Sequence, residues 1–405
     1  MSKNYAVAIV GGGFSGLVCA EVLGSKFGGE KVLVLEKNDR VGKKILATGN
    51  GRGNITNLDL SPEKYHSQNG ADISQLLEKY GNKSIIEYFE GLGIGFSTEE
   101  GKVFPSSFQA NSILDGLRMK IEYLGVDVQT SREVKRIKKT AVGYILETDG
   151  RSFFADKVIF ACGGKASKQY GTDGSAYALL QELGHSVTDL FPSLVQVKTD
   201  VSKIKGLKGL KQQAEIKAVC DGVKTPTFIG DILFTDYGIS GNAVFYLSAY
   251  ISNKNNATLS ISFLPDKGKG EIASFIREKF KNLPYVEAEE VLTGIINKQI
   301  GKAIIKDCGV VAKNSRSADV IASKVKDFRL EYKGTLGFDN AQVTKGGIPF
   351  NEVSENTLES KKAKGLYIVG ESLDVDGDCG GYNLQWAYTS ARIACDGVLD
   401  GYENR

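Results

Sequence analysis

The chain is poor in the residues that carry most cofactor-free catalysis. It has 2 histidines, His66 and His185, among 405 residues, so a histidine-based triad or a histidine-rich metal site has almost nothing to be built from. The 6 cysteines (Cys19, Cys162, Cys220, Cys308, Cys379, Cys395) are scattered, with no CxxC or CxxxxC pair. That excludes a disulfide framework, a zinc ribbon and a dithiol-type flavin reductase, and no metal is expected. No apolar run reaches the roughly 18 residues that would cross a bilayer, so no membrane association is expected. The start, Met1-Ser2-Lys3-Asn4, passes straight into an apolar run and leaves no room for a signal peptide, which points to a cytoplasmic protein. A formal net charge of +3 is too small by itself to argue for nucleic acid. Glycine, by contrast, is abundant at 48 residues, which suits tight turns and close approach of backbone to a ligand. With so few catalytic side chains, the chemistry is expected to be carried mainly by a cofactor.

The first fifty-odd residues supply a place for one. Tyr5-Ala6-Val7-Ala8-Ile9-Val10 is an apolar run ending in Gly11-Gly12-Gly13-Phe14-Ser15-Gly16. A helix-like run from Leu17 to Leu23 follows, then a second strand, Lys31 to Leu35, that closes on Glu36. Strand, GxGxxG turn, helix, strand and terminal acid form the βαβ unit that binds a dinucleotide. Gly11 allows the tight turn, Gly13 admits a pyrophosphate, and Gly16 lets helix and strand pack closely. The helix N-terminus, at Phe14 and Ser15, offers free N–H groups to phosphate. Glu36 can accept from both ribose hydroxyls. The loop that follows, Lys37 through Lys44 to Asn50-Gly51-Arg52-Gly53-Asn54…Asn57, is rich in glycine, amides and cations where a bound dinucleotide would extend.

Further along, helical spacing dominates from Ser61 to Leu92, a hairpin is expected over Gly93–Phe104, and a helix over Ser112–Leu124. Alternating segments around Val126, Val134 and Ile145 read as strands. Lys157 to Gly163-Gly164 reads as a buried strand whose loop returns to the cofactor. Near Pro192 the βα rhythm stops. Leu194 to Leu264 reads as short alternating strands of a separate barrel or sandwich, and its loop Gly230–Gly241 could face a substrate. The lysines at 203, 205, 208, 211 and 217 are weighed there as a solvated strand face against a contact with an anionic ligand or RNA. Helical spacing returns between Lys269 and Lys326, with segments at Ile272–Phe280, Val286–Lys306 and Ser315–Val325, and strand character resumes over Phe328–Val343. The expected division is a cofactor domain at 1–191 and 349–405, a β domain at 192–266 and 327–348, and a helical cap at 267–326.

The second strong signal lies near the C-terminus. A strand, Lys364 to Val369, ends in Gly370-Glu371. A polar turn runs from Ser372 through Asp374, Asp376, Asp378 and Cys379 to Gly380-Gly381-Tyr382-Asn383-Leu384-Gln385, and a helix is expected from Trp386 to about Leu399. Such a turn offers helix N–H groups to the far end of a long cofactor, as a flavin ring carbonyl requires and a simple NAD dehydrogenase does not. The three aspartates begin like a calcium loop, but the glutamate expected at position twelve is Gln385.

Together these motifs, with Gly42-Lys43-Lys44-Ile45-Leu46, Thr344-Lys345-Gly346-Gly347 and Glu371…Leu373-Asp374-Val375-Asp376-Gly377-Asp378-Cys379-Gly380-Gly381-Tyr382-Asn383-Leu384-Gln385-Trp386-Ala387, resemble the BaiN/YhiN-type flavoprotein family essentially end to end. The resemblance implies an α/β fold: a Rossmann-like, glutathione-reductase-type FAD domain from both chain ends, an inserted β-barrel and a small helical insert. It implies an oxidoreductase with non-covalent FAD, held here by Gly11, Gly13, Phe14, Ser15, Gly16, Glu36, Lys37, Lys44, Asn50, Gly51, Arg52, Val134, Gly163, Gly370, Glu371, Asp374, Gly381, Asn383 and Leu384. With no second GxGxxG, NAD(P)H would dock only transiently. Activities assigned within the family are reduction of a conjugated C=C in 3-oxo bile-acid intermediates, oxidation of an aminoketone by oxygen, and reduction of uridine in ribosomal RNA. The first is the expectation here, with a small-molecule substrate and with Tyr382, Cys379 and Asp236 as candidate proton donors or substrate anchors. An RNA contact through the basic runs accompanies the third. Two departures stand out: the family commonly has cysteine where Gly53 stands and histidine where Asp236 stands.

Overall fold

The computed structural model describes residues 4–403, so the reading of Met1–Lys3 lies outside the described residues. The chain forms two compact units, one from residues up to Phe191 and from Val343 onward, the other from Pro192 to Gln342.

The first unit opens with β1 (Asn4–Val10), α1 (Phe14–Phe27) and β2 (Val32–Leu35). The stretch expected to be helical from Ser61 is helical only over 74–79 and 82–90, and it holds a short strand, β3 (Tyr65–His66), before them. After α2 (Ala110–Tyr123) come β4 (Asp127–Gln129), β5 (Val134–Lys139), β6 (Tyr144–Thr148) and the long β7 (Arg151–Phe160). The sheet order is β4-β2-β1-β7-β6-β5. β1 lies parallel to both β2 and β7, the arrangement expected when helices rather than hairpins connect neighbouring strands. The pleat sorts side chains to two faces: Val7, Ile9, Val32 and Val34 enter one core with α1 and α2, while Ala8, Val10, Leu33 and Leu35 enter the other. Both faces are covered, which is why these strands read as continuous apolar runs.

The second unit is a closed antiparallel barrel with a cluster of helices. Its strands are β8 (Val197–Thr199), β9 (Lys211–Cys220), β10 (Phe228–Phe234) and β11 (Gly238–Ser240). A helix follows, α3 (Asn242–Ile251), and then β12 (Ala257–Ser262). The helices α4 (Lys269–Asn282), α5 (Lys298–Cys308) and α6 (Ser315–Lys326) precede β13 (Phe328–Thr335). Strand order β9-β10-β11-β8-β13-β12, closed by β12 pairing back to β9, leaves no open edge among the six.

Three expectations are corrected here. The segment Asn242–Ile251, read as strand, is a helix; its residues are apolar nearly all round because Ala243, Val244, Leu247 and Ile251 fill the barrel core, so it shows no amphipathic stripe. The segment Val286–Asn297 forms turns and a short 3-10 stretch, and the helix starts only at Lys298, where the Asn297 side chain accepts the Gln299 N–H. The helices are not a separate body, since Ile272, Ile300, Ile304 and Ile321 share one core with Ile216, Leu259 and Phe328 of the barrel.

The return to the first unit comes at Val343, so residues 343–348 belong with it and not with the barrel. There β14 (Leu366–Ile368) joins the sheet parallel to the end of β7, β15 (Asp376–Gly377) pairs with β3, and α7 (Tyr382–Glu403) is the last element among the described residues. That helix begins four residues before the expected Trp386.

One polar cluster locks this unit. His185, fully buried, sits between Glu352 Oε2 (2.8 Å from Nδ1) and Ser360 Oγ (2.7 Å from Nε2). The Ser360 oxygen already accepts the N–H groups of Lys362 and Ala363, so its hydroxyl donates to Nε2 and the imidazole donates from Nδ1 to Glu352. The sequence of partners resembles a hydrolytic triad, but Ser360 is buried and fully engaged, so the cluster pins the fold. Burial holds the His185 pKa below its ordinary value. The unfolded chain therefore binds the extra proton first, and stability declines as pH falls below about 6.5. The thermal midpoint should drop between pH 7.5 and 5.5 in the wild type, whereas His185→Gln should be less stable at pH 7.5 and show a flatter dependence over that window; equal slopes would contradict the assignment.

Candidate functional site

β1 delivers the chain into the glycine turn at the end of the sheet. Gly11 has φ +105°, and a Cβ there would lie 2.4 Å from the Ala161 carbonyl oxygen; a Cβ on Gly16 would lie 2.0 Å from the Gly11 oxygen. Those two glycines serve the chain's own packing. Gly13 differs: it has extended φ/ψ, and a Cβ built on it meets nothing within 4 Å. It faces open space, directly before α1, whose N-terminus has no side-chain cap. Phe14 and Ser15 are buried, the former against Phe89, with ring centroids 5.8 Å apart. Glu36 is buried beside this turn. Its Oε2 accepts the Gly12 N–H and its Oε1 accepts both the N–H and the Nδ2 of Asn38, each at 2.8 Å, which fixes the carboxylate and leaves Oε2 with a lone pair for a further donor. The Glu36 carbonyl accepts the Arg132 N–H at 2.8 Å, bringing the start of β5, and Val134, to the same side.

The loop residues divide by what they touch. Lys44 Nζ lies 2.8 Å from Glu371 Oε2 and also donates to the Ala166 carbonyl. Glu371 Oε1 accepts the Thr344 N–H, and Thr344 Oγ1 accepts the N–H groups of Lys165 and Ala166. One network thus ties four loops together, and it accounts for the Thr344-Lys345-Gly346-Gly347 motif. Lys37 pairs with Asp173 at 3.2 Å. Arg52 is engaged away from solvent phosphate: its guanidinium lies 4.3 and 4.6 Å from the ring centres of Phe104 and Phe108 and donates to Glu99. Asn50, Gly51 and Gly53 all have positive φ, so this segment presents a curled backbone. A Cβ at Gly53 would lie 2.8 Å from Ala110 Cα, so a cysteine there would require the start of α2 to move.

The C-terminal turn meets the first loop. Gly381 has φ +102°, and its Cβ position is 2.5 Å from the Thr56 carbonyl oxygen. Thr56 Oγ1 donates to Gln385 Oε1 at 2.6 Å, and Asn57 Nδ2 donates to the Gly380 carbonyl. Asn383 clamps the turn through both the N–H and the carbonyl of Gly377. Leu384 packs partly buried against the α1 core. Gly370, with φ +64°, donates to Ser390 Oγ and lies against Ser15, while the Gly163 carbonyl accepts Ser372 Oγ. Asp374 is fully buried. Its Oδ2 accepts from Gln68 and Ser67, its Oδ1 has no hydrogen-bond partner, and desolvation raises its pKa. An unmatched buried acceptor, an uncapped helix start, open space beside Gly13 and the anchored Glu36 carboxylate fit a long ligand carrying phosphates and hydroxyls.

The three candidate proton donors fare differently. The Tyr382 hydroxyl donates to the Asp59 carbonyl at 2.9 Å and its ring stands edge-on to Tyr65, so in this structure it holds the turn. Burial pushes the Cys379 thiol up to about 11, which keeps it protonated at neutral pH. Asp236 lies exposed in the second unit, ion-paired with Lys208 at 2.6 Å; that lysine holds its carboxyl below the usual range, so it is ionised and has no proton to give.

A family model described as "HI0933-like protein Rossmann domain" matches residues 5–397. The chain belongs to this family of FAD-dependent oxidoreductases, as its motifs implied. It is 36% identical over 399 residues, 96% of this chain and 97% of the relative, to a 3-dehydro-bile acid delta(4,6)-reductase of Clostridium scindens. It is 29% identical to a ribosomal RNA dihydrouridine synthase of Escherichia coli, over 96% of each chain. Among solved structures, a 3-ketosteroid-delta4-(5alpha)-dehydrogenase from Rhodococcus jostii shares the fold, with TM-score 0.51, 17% identity, and coverage of 98% of this chain and 96% of that one. The Rossmann-type domain and the closed barrel are thus the family's architecture.

The glycines give a discriminating pair of variants. Gly16→Ala, which forces a side chain into the Gly11 carbonyl, should cost about 1–3 kcal/mol of stability with or without FAD. Gly13→Ala should leave apo stability unchanged and weaken FAD binding about tenfold or more, measured by flavin fluorescence titration; equal effects of the two on apo stability would count against the reading of Gly13.

Proposed function

We propose that this family member reduces a conjugated C=C next to a carbonyl in a small 3-oxo substrate, with NAD(P)H as transient electron donor. The observation that carries the proposal is the 36% identity, along nearly the whole of both chains, to a reductase whose name specifies that chemistry. FAD, when bound, supplies the hydride. The chain's part is to hold and orient. The α1 N-terminus and Gly13 would receive the pyrophosphate and Glu36 the adenosine ribose, and the α7 N-terminus, set by Thr56, Asn57 and Asn383, would offer its positive potential to the flavin end. Asp374, buried behind the turn, would brace it through the bonds of its Oδ2 to Gln68 and Ser67. Cys379, neutral at pH 7, contributes a weak donor in the turn. We further take the protein to act in the cytoplasm.

A second reading, uridine reduction in ribosomal RNA, is favoured by the relatives of that name. It uses the same chemistry, since uracil is also an enone. The second unit carries 22 Lys and Arg against 16 Asp and Glu, so the chain's positive charge is concentrated there. Most of the lysines of the basic run are ion-paired, however: Lys203 with Asp307, Lys208 with Asp236, Lys211 with Asp231 and Lys217 with Glu215.

Anaerobic stopped-flow separates these readings. The flavin of the purified holoprotein is bleached by NADH or NADPH and then mixed with a 3-oxo-Δ4 steroid, uridine-containing RNA or oxygen. The steroid should reoxidise it at least about tenfold faster than RNA does. RNA-driven reoxidation that falls steeply with salt would establish the second reading. Rapid peroxide release without nicotinamide oxidation would replace both with an aminoketone oxidase.

A further inference from the structure

We propose that a cavity between two loops of the first unit receives the adenosine 2′-phosphate end of NADPH, with Arg40 as the residue that tells NADPH from NADH; this rests on the reading that a nicotinamide reduces the flavin. The cavity, of about 350 Å³, is lined by Arg40, Lys43, Leu46, Ala47, Gln169 and Tyr170. Such a volume suits a nucleotide fragment, since small-molecule pockets run from roughly 300 to 1,000 Å³. None of the six residues belongs to the set expected to hold FAD.

The two walls are tied together at both ends. At one end Asn38 Nδ2 donates to the Tyr170 carbonyl at 3.1 Å and to Glu36 at 2.8 Å. At the other, Lys44 Nζ donates to the Ala166 carbonyl at 3.3 Å while pairing with Glu371. The first loop also hangs from the glycine turn, because the Gly42 N–H donates to the Gly12 carbonyl at 2.8 Å. The second passes through a short turn, Lys168–Tyr170, set between two left-handed residues, Ser167 (φ +65°) and Gly171 (φ +98°). A Cβ on Gly171 would lie 2.4 Å from Asn38 Nδ2, so the loops close on each other there. A buried serine held left-handed costs backbone energy that the surrounding contacts must supply. The cavity is therefore a fixed feature of these loops.

The lining selects the ligand. Lys43 is partly spent, since its Nζ lies 2.6 Å from Asp39 Oδ1. Arg40 is exposed, and among the described residues no carboxylate lies at ion-pair distance from it, so the guanidinium is the cation left for a ligand. Two cations against one carboxylate leave the mouth positive. A guanidinium fork matches two oxygens of a phosphate, and a phosphate monoester carries close to two charges at neutral pH, so it is favoured over a carboxylate. The rest of the lining suits a nucleoside: Tyr170 brings an aromatic ring, Leu46 an apolar side chain, and Gln169 an amide that both donates and accepts. An acid such as Glu36 that accepts from ribose hydroxyls repels a phosphate on the 2′-oxygen, and nucleotide sites that take this phosphate do so with a nearby arginine. Arg40, four residues after Glu36, supplies one.

The test uses FAD-loaded protein and starts with binding alone. In isothermal titration, adenosine 2′,5′-bisphosphate should bind more tightly than 5′-AMP, and more weakly as salt is added. Arg40→Ala should weaken the bisphosphate about tenfold or more and leave 5′-AMP unchanged. Arg40→Lys, which keeps the charge and loses the fork, should fall between. In anaerobic stopped-flow the wild type should be reduced more efficiently by NADPH than by NADH. Arg40→Ala should raise the apparent dissociation constant for NADPH by the same factor, with NADH and FAD affinity unchanged. Arg40 is exposed, so its truncation removes no core packing. Equal affinity of the wild type for the two adenosine nucleotides, or wild-type handling of NADPH by Arg40→Ala, would overturn the proposal. So would loss of FAD from Arg40→Ala, which assigns the cavity to the flavin's own nucleotide. A defect of that variant confined to reoxidation by an acidic steroid assigns it to the substrate and overturns the proposal too. Failure of the nicotinamide reading looks different: neither NADH nor NADPH then bleaches the wild-type flavin, and the titration with adenosine 2′,5′-bisphosphate still decides what the cavity holds.

Discussion

The first unit depends on a close approach between segments from opposite ends of the chain. Residues Thr56 and Asn57 press against Gly380 and Gly381 so tightly that a Cβ on Gly381 would lie 2.5 Å from the Thr56 carbonyl oxygen. Left-handed backbone at both glycines permits that approach, and the Thr56–Gln385 and Asn57–Gly380 hydrogen bonds hold it. The start of α7 is set by this contact. Lys44 and Glu371 repeat the theme a few residues away, half-buried and supported by Thr344 and Ala166. Losing either charge would strand the other where water is scarce, which costs more than an exposed pair is worth.

This explains what could be read in the sequence and what could not. The packing duties of Gly11 and Gly16 were legible because they are local: the spacing of glycines on one strand, turn and helix dictates them. The continuous apolar runs of β1 and β2 were legible for the same reason. Asn242–Ile251 was not, because a helix apolar nearly all round carries no stripe to betray it. The true start of α7 at Tyr382 was missed because what stabilises it, Thr56, lies in another part of the chain. Roles based on residue type were least secure. The contacts of Arg52 with the adjacent rings of Phe104 and Phe108 are seen only in space, as is the pairing of Lys44 with Glu371.

Histidine scarcity likewise meant less than it suggested. A count of 2 argues against a triad or a metal cluster, and it says nothing about a single imidazole set over a carboxylate. His66 and Asp378 are separated by most of the chain and share no pattern; only the pairing of β3 with β15 brings them together.

Gly53 carries the argument one step further. Its φ of +76° places it where a side chain strains the backbone, and a Cβ would press on Ala110 at the start of α2. The cysteine common at this position in the family is thus absent from a place this chain has closed over. A redox or nucleophilic duty for that thiol cannot belong to the chemistry performed here. The remaining thiol of the turn, Cys379, is kept protonated by burial, which suits hydrogen bonding and disfavours attack. In the reading proposed above the electrons pass through the cofactor, and what the protein can vary between substrates is the shape and proton supply of the space around it.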